Sequence, residues 1–147
     1  MDWKLRDYRV EDYPFIYELK KACYHPYVSA IWGWDEAVQR AYFEQFIAAA
    51  SGAIAVIEED GIAVGMVNWR IEDGVYRIEN ICIVPERRNL GLGGQVLNWL
   101  MEHCGYREIA LQVFKTNPAG RLYRRLGFEV EGETEHHYQM RARSGTK

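Results

Sequence analysis

The stretch "AIAVIEEDGIAVGMVNWRIEDGVYRIENICIVP", Ala53 to Pro85, limits the possible folds of this 147-residue chain more than any other. Three runs rich in Ile and Val are separated by Asp60-Gly61 and Asp73-Gly74, both of which are hairpin signals. Three consecutive antiparallel strands follow, and a fold built only of parallel strand-helix-strand units is excluded.

The flanking punctuation supplies the other elements. Trp3 to Arg9 alternates like a first strand, and Asp12 with Pro14 opens a helix whose apolar face is Phe15, Ile16, Leu19 and Cys23. "YHPYVSAIWGW" reads as an irregular aromatic segment. Asp35 and Glu36 then begin a second helix that runs to about Ala50 and stops at Gly52. Beyond Pro85, Val96, Leu97, Leu100, Met101 and Cys104 recur at helical spacing, and "REIALQVF" reads as a strand. Asn117-Pro118 opens another helix with Leu122 and Leu126 on its apolar face and Gly127 as its stop; "FEVEGETEHHYQM" is the last strand. The order is β-α-α-β-β-β-α-β-α-β. It predicts an α/β (α+β) fold, a mixed and mostly antiparallel sheet flanked by about four helices. One domain over residues 1–141 is expected, with a polar, aperiodic tail from 142 to 147 expected to be disordered.

Composition narrows the function. Hydrophobic residues are 48%, charged residues 27% and the net charge is -3 without a basic block, so a soluble globular protein is indicated and nucleic acid is not an expected partner. Cys23, Cys82 and Cys104 lack metal-type spacing and read as buried thiols, so no metal is expected. The N-terminus lacks signal-peptide blocks, and no run of ~18 apolar residues occurs; a cytoplasmic location without membrane contact is the expectation.

The chemistry gathers at "ICIVPERRNLGLGGQVLNWL", Ile81 to Leu100, where an apolar run stops at a proline and a glycine-rich turn enters a helix. Several phosphate loops share that outline. A Walker loop fails, because Gly93-Gly94 leads into Gln95-Val96 rather than Lys-Ser/Thr. A dinucleotide fingerprint fails as well, since Val96 stands where its third glycine belongs. What remains is an R-x-x-G-x-G pattern, Arg88 to Gly93. Glycines at 91, 93 and 94 let backbone N–H groups converge, the helix adds a partial positive charge of ~0.5, and Arg87 and Arg88 add full charges. A pyrophosphate fits such a turn.

This loop, together with "NPAGRLYRRLGFEVEGE" and the element order, resembles the GNAT superfamily of acyl-CoA-dependent N-acyltransferases over about Leu5 to Met140. The resemblance implies a GNAT fold and acetyl-CoA as co-substrate. It also implies transfer of an acetyl group to a primary amine of a small molecule or peptide by direct attack. The cofactor would meet Cys82, Ile83, Val84, Arg87, Arg88, Asn89, Leu90, Gly91, Leu92, Gly93, Gly94, Asn117 and Tyr123. In that family the strand before the loop splays from its neighbour and its backbone pairs with the pantetheine arm; here that strand is Glu79 to Val84.

Tyr123 matches the tyrosine that protonates the departing thiolate, a role a phenol of pKa ~10 can fill at neutral pH. Glu79, on one strand face with Ile81 and Ile83, is the first candidate for the base, against the alternative of an exposed partner of Arg77. His136 and His137 are further candidates. Asn117 lies six residues before Tyr123, where the family often has an asparagine seven before, and it doubles as a helix cap. In the resemblance the aromatic segment walls the acceptor side, so Tyr27, Trp32, Trp34 and His137 are candidate substrate contacts, with Asp35 and Glu36 nearby. The competing readings are a non-catalytic acyl-CoA-binding regulatory module and, more remotely, a nucleotide-binding oxidoreductase. Either a monomer or a homodimer is compatible with the sequence.

Overall fold

A computed structural model describes residues 2–88 and 90–145, with nothing said of the Ser51 side chain. Seven strands form one mixed sheet in the order β1-β2-β3-β4-β5-β7-β6: β1 Trp3–Asp7, β2 Ile54–Glu59, β3 Ile62–Glu72, β4 Val75–Ile83, β5 Glu108–Phe114, β6 Glu129–Glu133 and β7 His137–Arg143. The helices are α1 Tyr13–Ile31, α2 Glu36–Ala50, α3 Leu92–His103 and α4 Ala119–Arg125. Only β4 and β5 pair in parallel among the ladders described.

Both Asp-Gly turns form as expected. Asp60 and Asp73 take φ 54°, followed by Gly61 at 81° and Gly74 at 75°, the doubly left-handed geometry that closes a two-residue hairpin. Asp35 accepts from Val38 N at 3.0 Å and caps α2.

The chain packs as two compact units, Met1–Asn68 with Asn80–Arg88, and Trp69–Glu79 with Asn89–Lys147. The core of the first joins Ile16, Tyr17 and Leu19 of α1, Phe43 of α2, Ile54 and Val56 of β2, Met66 of β3 and Cys82 of β4. Burying each large apolar side chain there contributes about 1.5–3 kcal/mol. The second unit buries Val96, Leu97 and Leu100 of α3, Ile109 and Leu111 of β5, Phe128, and Met140 of β7.

Three expectations are corrected. The segment around Pro26 is not irregular: α1 runs through it to Ile31. Proline removes one helical hydrogen bond, to the carbonyl of Ala22, at a cost of about 3 kcal/mol. The helix already nucleated on its buried face continues until Gly33 turns left-handed at φ 80°. The last strand is two. β6 and β7 form a hairpin whose turn is closed by Thr134 N donating to His137 O at 2.9 Å and His137 N donating to Thr134 Oγ1 at 3.1 Å, with neither glycine nor proline to mark it. The last strand does not stop at 141, where a tail was expected to begin: β7 reaches Arg143. Ala142 is buried in β7, Ser144 N donates to Arg107 O at 2.9 Å and Gly145 N to Met101 O at 2.7 Å. Thr146 and Lys147 lie outside the described residues.

Candidate active site

β4 supplies the first part of the site. Its ladder with β5 runs Tyr76↔Ile109, Arg77↔Ala110, Ile78↔Leu111, and no further pairing of the two strands is described. From Glu79 to Ile83 the strand therefore carries an edge on that side. The other side is engaged: Val84 N donates to Val64 O at 2.8 Å, and Cys82 O lies so close to Gly65 that a Cβ there would meet it at 2.5 Å. Successive residues of a strand present their N–H and C=O to alternate sides. Cys82 and Val84 thus face β3, while Ile81 and Ile83 face the open edge. Of the three amides expected from the sequence, those of Cys82 and Val84 are therefore turned to β3 and only that of Ile83 to the edge, where Ile81, not named from the sequence, is turned as well. Asn80 Nδ2 donates to Oδ1 of the fully buried Asn68 at 2.5 Å, giving a buried amide its partner.

The two arginines separate. After the 3-10 turn Pro85–Arg87, the Arg87 guanidinium turns to the buried Glu59, Nη1 to Oε1 3.0 Å, within ion-pair range but not aligned as a hydrogen bond. Glu59 is 2% exposed, and a carboxylate so placed needs a counter-ion. Arg88 instead remains exposed at the end of β4, donating Nε to Ile83 O at 3.1 Å and Nη2 to Cys23 Sγ at 3.3 Å.

The glycine turn opens α3 as expected. Gly91, at φ 85°, is the N-cap, and the first helical bond is Gln95 N to Gly91 O at 3.0 Å. The N–H groups of Leu92, Gly93 and Gly94 precede that bond and lie at the positive end of the helix, and no side chain caps the turn. A Cβ on Gly93 would meet nothing within 4 Å, so the backbone there is open to a large anion; a Cβ on Gly94 would sit 3.4 Å from Leu122 Cδ1, so Gly94 serves packing against α4. Leu90 is 55% exposed. Asn89 lies outside the described residues.

Tyr123 is carried by the seven-residue helix α4 and is 8% exposed, with its ring edge-on to Phe128 at 6.1 Å. The helix end is a Schellman motif: Phe128 N donates to Tyr123 O at 3.0 Å and Gly127 N to Arg124 O at 3.1 Å, with Gly127 at φ 104°. Asn117 Oδ1 accepts from Ala119 N at 2.9 Å, a capping bond. Asn117 also lines a cavity of about 350 Å³ with Lys115, Arg121, Arg124 and Tyr138. Those three basic residues meet only once β5 turns into α4, which is why the sequence did not single them out.

Glu79 is exposed. Its Oε2 is 3.8 Å from Arg70 Nε, an ion pair not expected from the sequence, and Arg77 Nε reaches Glu72 Oε1 at 3.2 Å. His137 packs on Phe114 at 4.2 Å, and burial with the neighbouring His136 lowers its pKa, favouring neutral imidazole. Tyr27 is half-buried on α1 and Trp32 is 60% exposed at its end. Trp34 packs against His25 with ring centroids 4.7 Å apart and planes tilted by 40°, and donates Nε1 to Glu36 at 2.8 Å. Glu36 also accepts from Tyr17 at 2.5 Å and pairs with Lys21 at 3.0 Å; these bonds, Tyr17's first, hold its carboxyl down at about 2. That carboxylate is thus already paired within the protein.

The model of the acetyltransferase (GNAT) family matches residues 13–128, and the chain belongs to that family. It is a GNAT N-acetyltransferase that uses acetyl-CoA. The chain is 27% identical over 139 residues to a Bacillus subtilis (strain 168) protein provisionally named ribosomal protein bS18-alanine N-acetyltransferase, covering 91% of this chain and 85% of the relative. Its fold is similar to that of the PaiA N-acetyltransferase of Thermoplasma acidophilum in complex with coenzyme A. The TM-score is 0.74 at 17% identity, over 97% of this chain and 99% of that one. It is also similar to a spermidine N-acetyltransferase chimera of Vibrio cholerae SpeG and hSSAT, with a TM-score of 0.70 at 21% identity over 97% and 96%. Among the described residues, no cluster of His, Cys, Asp and Glu could hold a metal ion, and no helix is long and apolar enough to cross a membrane.

Proposed function

We propose that this protein moves an acetyl group from acetyl-CoA to a primary amine by direct attack, with the α-amine of a peptide as first candidate and a small-molecule amine as the second. The observation that carries this reading is the β4 edge from Glu79 to Ile83, with the amides of Ile81 and Ile83 turned to it.

Those amides would hold the pantetheine arm as an added strand, and one of them would receive the carbonyl oxygen as charge develops on it. Leu92, Gly93 and Gly94 would bind the pyrophosphate through backbone N–H groups, with Arg88 supplying the full charge because Arg87 is occupied by Glu59. Tyr123 would give its phenolic proton to the departing thiolate, and Glu79 would receive the proton of the amine, directly or through water. An exposed carboxylate is a weak base for an alkylammonium of pKa ~10.4, but a peptide α-amine of pKa ~8 is partly neutral near pH 7 and asks less of it. This, and the name of the Bacillus subtilis relative, favour a peptide N-terminus over a polyamine.

The exposure of Glu79 favours one alternative, a regulatory module that binds acyl-CoA without turnover. A thiol-release assay with acetyl-CoA, run over N-terminal peptides, polyamines, amino acids and aminoglycosides, separates the two. The proposal expects turnover with at least one amine, highest for a peptide. Thermal stabilisation by acetyl-CoA with no thiol released over the whole panel would establish the binding module.

A further inference from the structure

Two of the three cysteines, Cys23 and Cys82, belong to the first unit, and no step of acetyl transfer uses them. Cys23, half-buried on α1, lies with its Sγ 3.8 Å from Ile83 O and receives Arg88 Nη2 at 3.3 Å. Cys82, 1% exposed on β4, belongs to the core cluster against which Cys23 packs, and it directly precedes Ile83, whose carbonyl the Cys23 sulfur reaches. The polar surroundings divide the pair unequally. Cys23 has a guanidinium at bonding distance, whereas Cys82 is enclosed in the core cluster, against which Tyr24 also packs.

We propose that Cys23 and Cys82 are a hydroperoxide-reactive pair that closes to a disulfide, fastening α1 to the edge-bearing strand β4. The arrangement gives each sulfur one task. The guanidinium of Arg88 at 3.3 Å favours the thiolate of Cys23, whose pKa is lowered, first by the neighbouring Cys82 and then by Arg88; Cys82 is pushed up by Cys23 and by burial and stays a thiol. The Cys23 thiolate attacks the O–O bond of a hydroperoxide: an S–O bond forms, the O–O bond breaks, and the leaving oxygen departs as water or alcohol after taking up a proton. Cys23 is now a sulfenic acid and the peroxide has been reduced by two electrons. The sulfur of Cys82 then attacks that of Cys23; the S–S bond forms, the S–O bond breaks, and hydroxide leaves as water with the proton of Cys82. Cys104, whose thiol donates to Tyr106 O at 3.4 Å in the second unit, serves as the internal control.

The test uses the full chain, hydrogen peroxide and intact-mass spectrometry, and is independent of any acetylation. Expected are a loss of about 2 Da and a fall in alkylatable thiols from three to one, both reversed by dithiothreitol, with peptide mapping joining Cys23 to Cys82. Cys82→Ser removes the resolving thiol, so Cys23 should accumulate a dimedone-reactive sulfenic acid, a gain of about 16 Da. Arg88→Gln should slow peroxide consumption about tenfold at pH 7 by raising the thiol's pKa. Should Cys82→Ser fail to fold, mapping of the wild-type disulfide decides alone. Three thiols still alkylatable after peroxide, or over-oxidation of Cys23 while Cys82 stays free, would overturn the proposal.

Discussion

Tyr123 and Arg88 show how differently single residues can be read. The helix that carries Tyr123 was legible because it advertises itself, with Asn117-Pro118 before it and Gly127 after. The division between Arg87 and Arg88 was not legible, because the partner that claims Arg87 is Glu59, on a strand 28 positions earlier by number, and only the fold brings them together. Glu79 belongs with the second case, since alternation assigned its face but not the nearness of Arg70. Replacement of Tyr123 by Phe keeps the edge contact with Phe128 and deletes the proton. If it is the general acid, kcat should fall by about 10²- to 10⁴-fold while KM for acetyl-CoA stays within a few-fold, measured by steady-state thiol release. A loss of stability without that kinetic split would make it a packing residue.

Among the elements, the two Asp-Gly hairpins and the Gly127 stop were read correctly because each rests on a local backbone requirement that few residues satisfy. Pro26 and the β6–β7 turn were misread for the opposite reason. The first is a local rule overridden by a helix anchored on buried side chains, and the second is a turn closed by a threonine hydroxyl. The β3–β4 approach offers a test at this scale. A Cβ at Gly65 would lie 2.5 Å from Cys82 O, with Ile83 Cδ1 and Ile57 Cδ1 at 3.0 and 3.1 Å, so backbone would have to move. Gly65→Ala should cost about 1–3 kcal/mol in urea unfolding. Gly52→Ala, where a Cβ meets nothing within 4 Å, should leave the midpoint nearly unchanged.

For the whole molecule, acid stability follows from its paired carboxylates. Asp12 accepts two bonds from Arg6, at 2.7 and 2.8 Å, and Glu36 accepts from Tyr17, Trp34 and Lys21; those bonds lower both pKa values from ordinary values of 3.8 and 4.5. A depressed folded pKa contributes stability above the unfolded value and loses it as pH falls through the folded one. The melting temperature should therefore hold from pH 7 to about 4.5 and drop between there and about 2, in a scan at low salt, and Glu36→Gln should flatten the drop. The sheet also carries a consequence of the Asn68–Asn80 bond. Sliding β4 by one residue along β3 would strand a fully buried amide and turn every side chain of β4 over. The register of β4 against β3 is therefore settled once, when the chain folds: any guest that zips onto the other side of β4 meets a ruler with fixed marks.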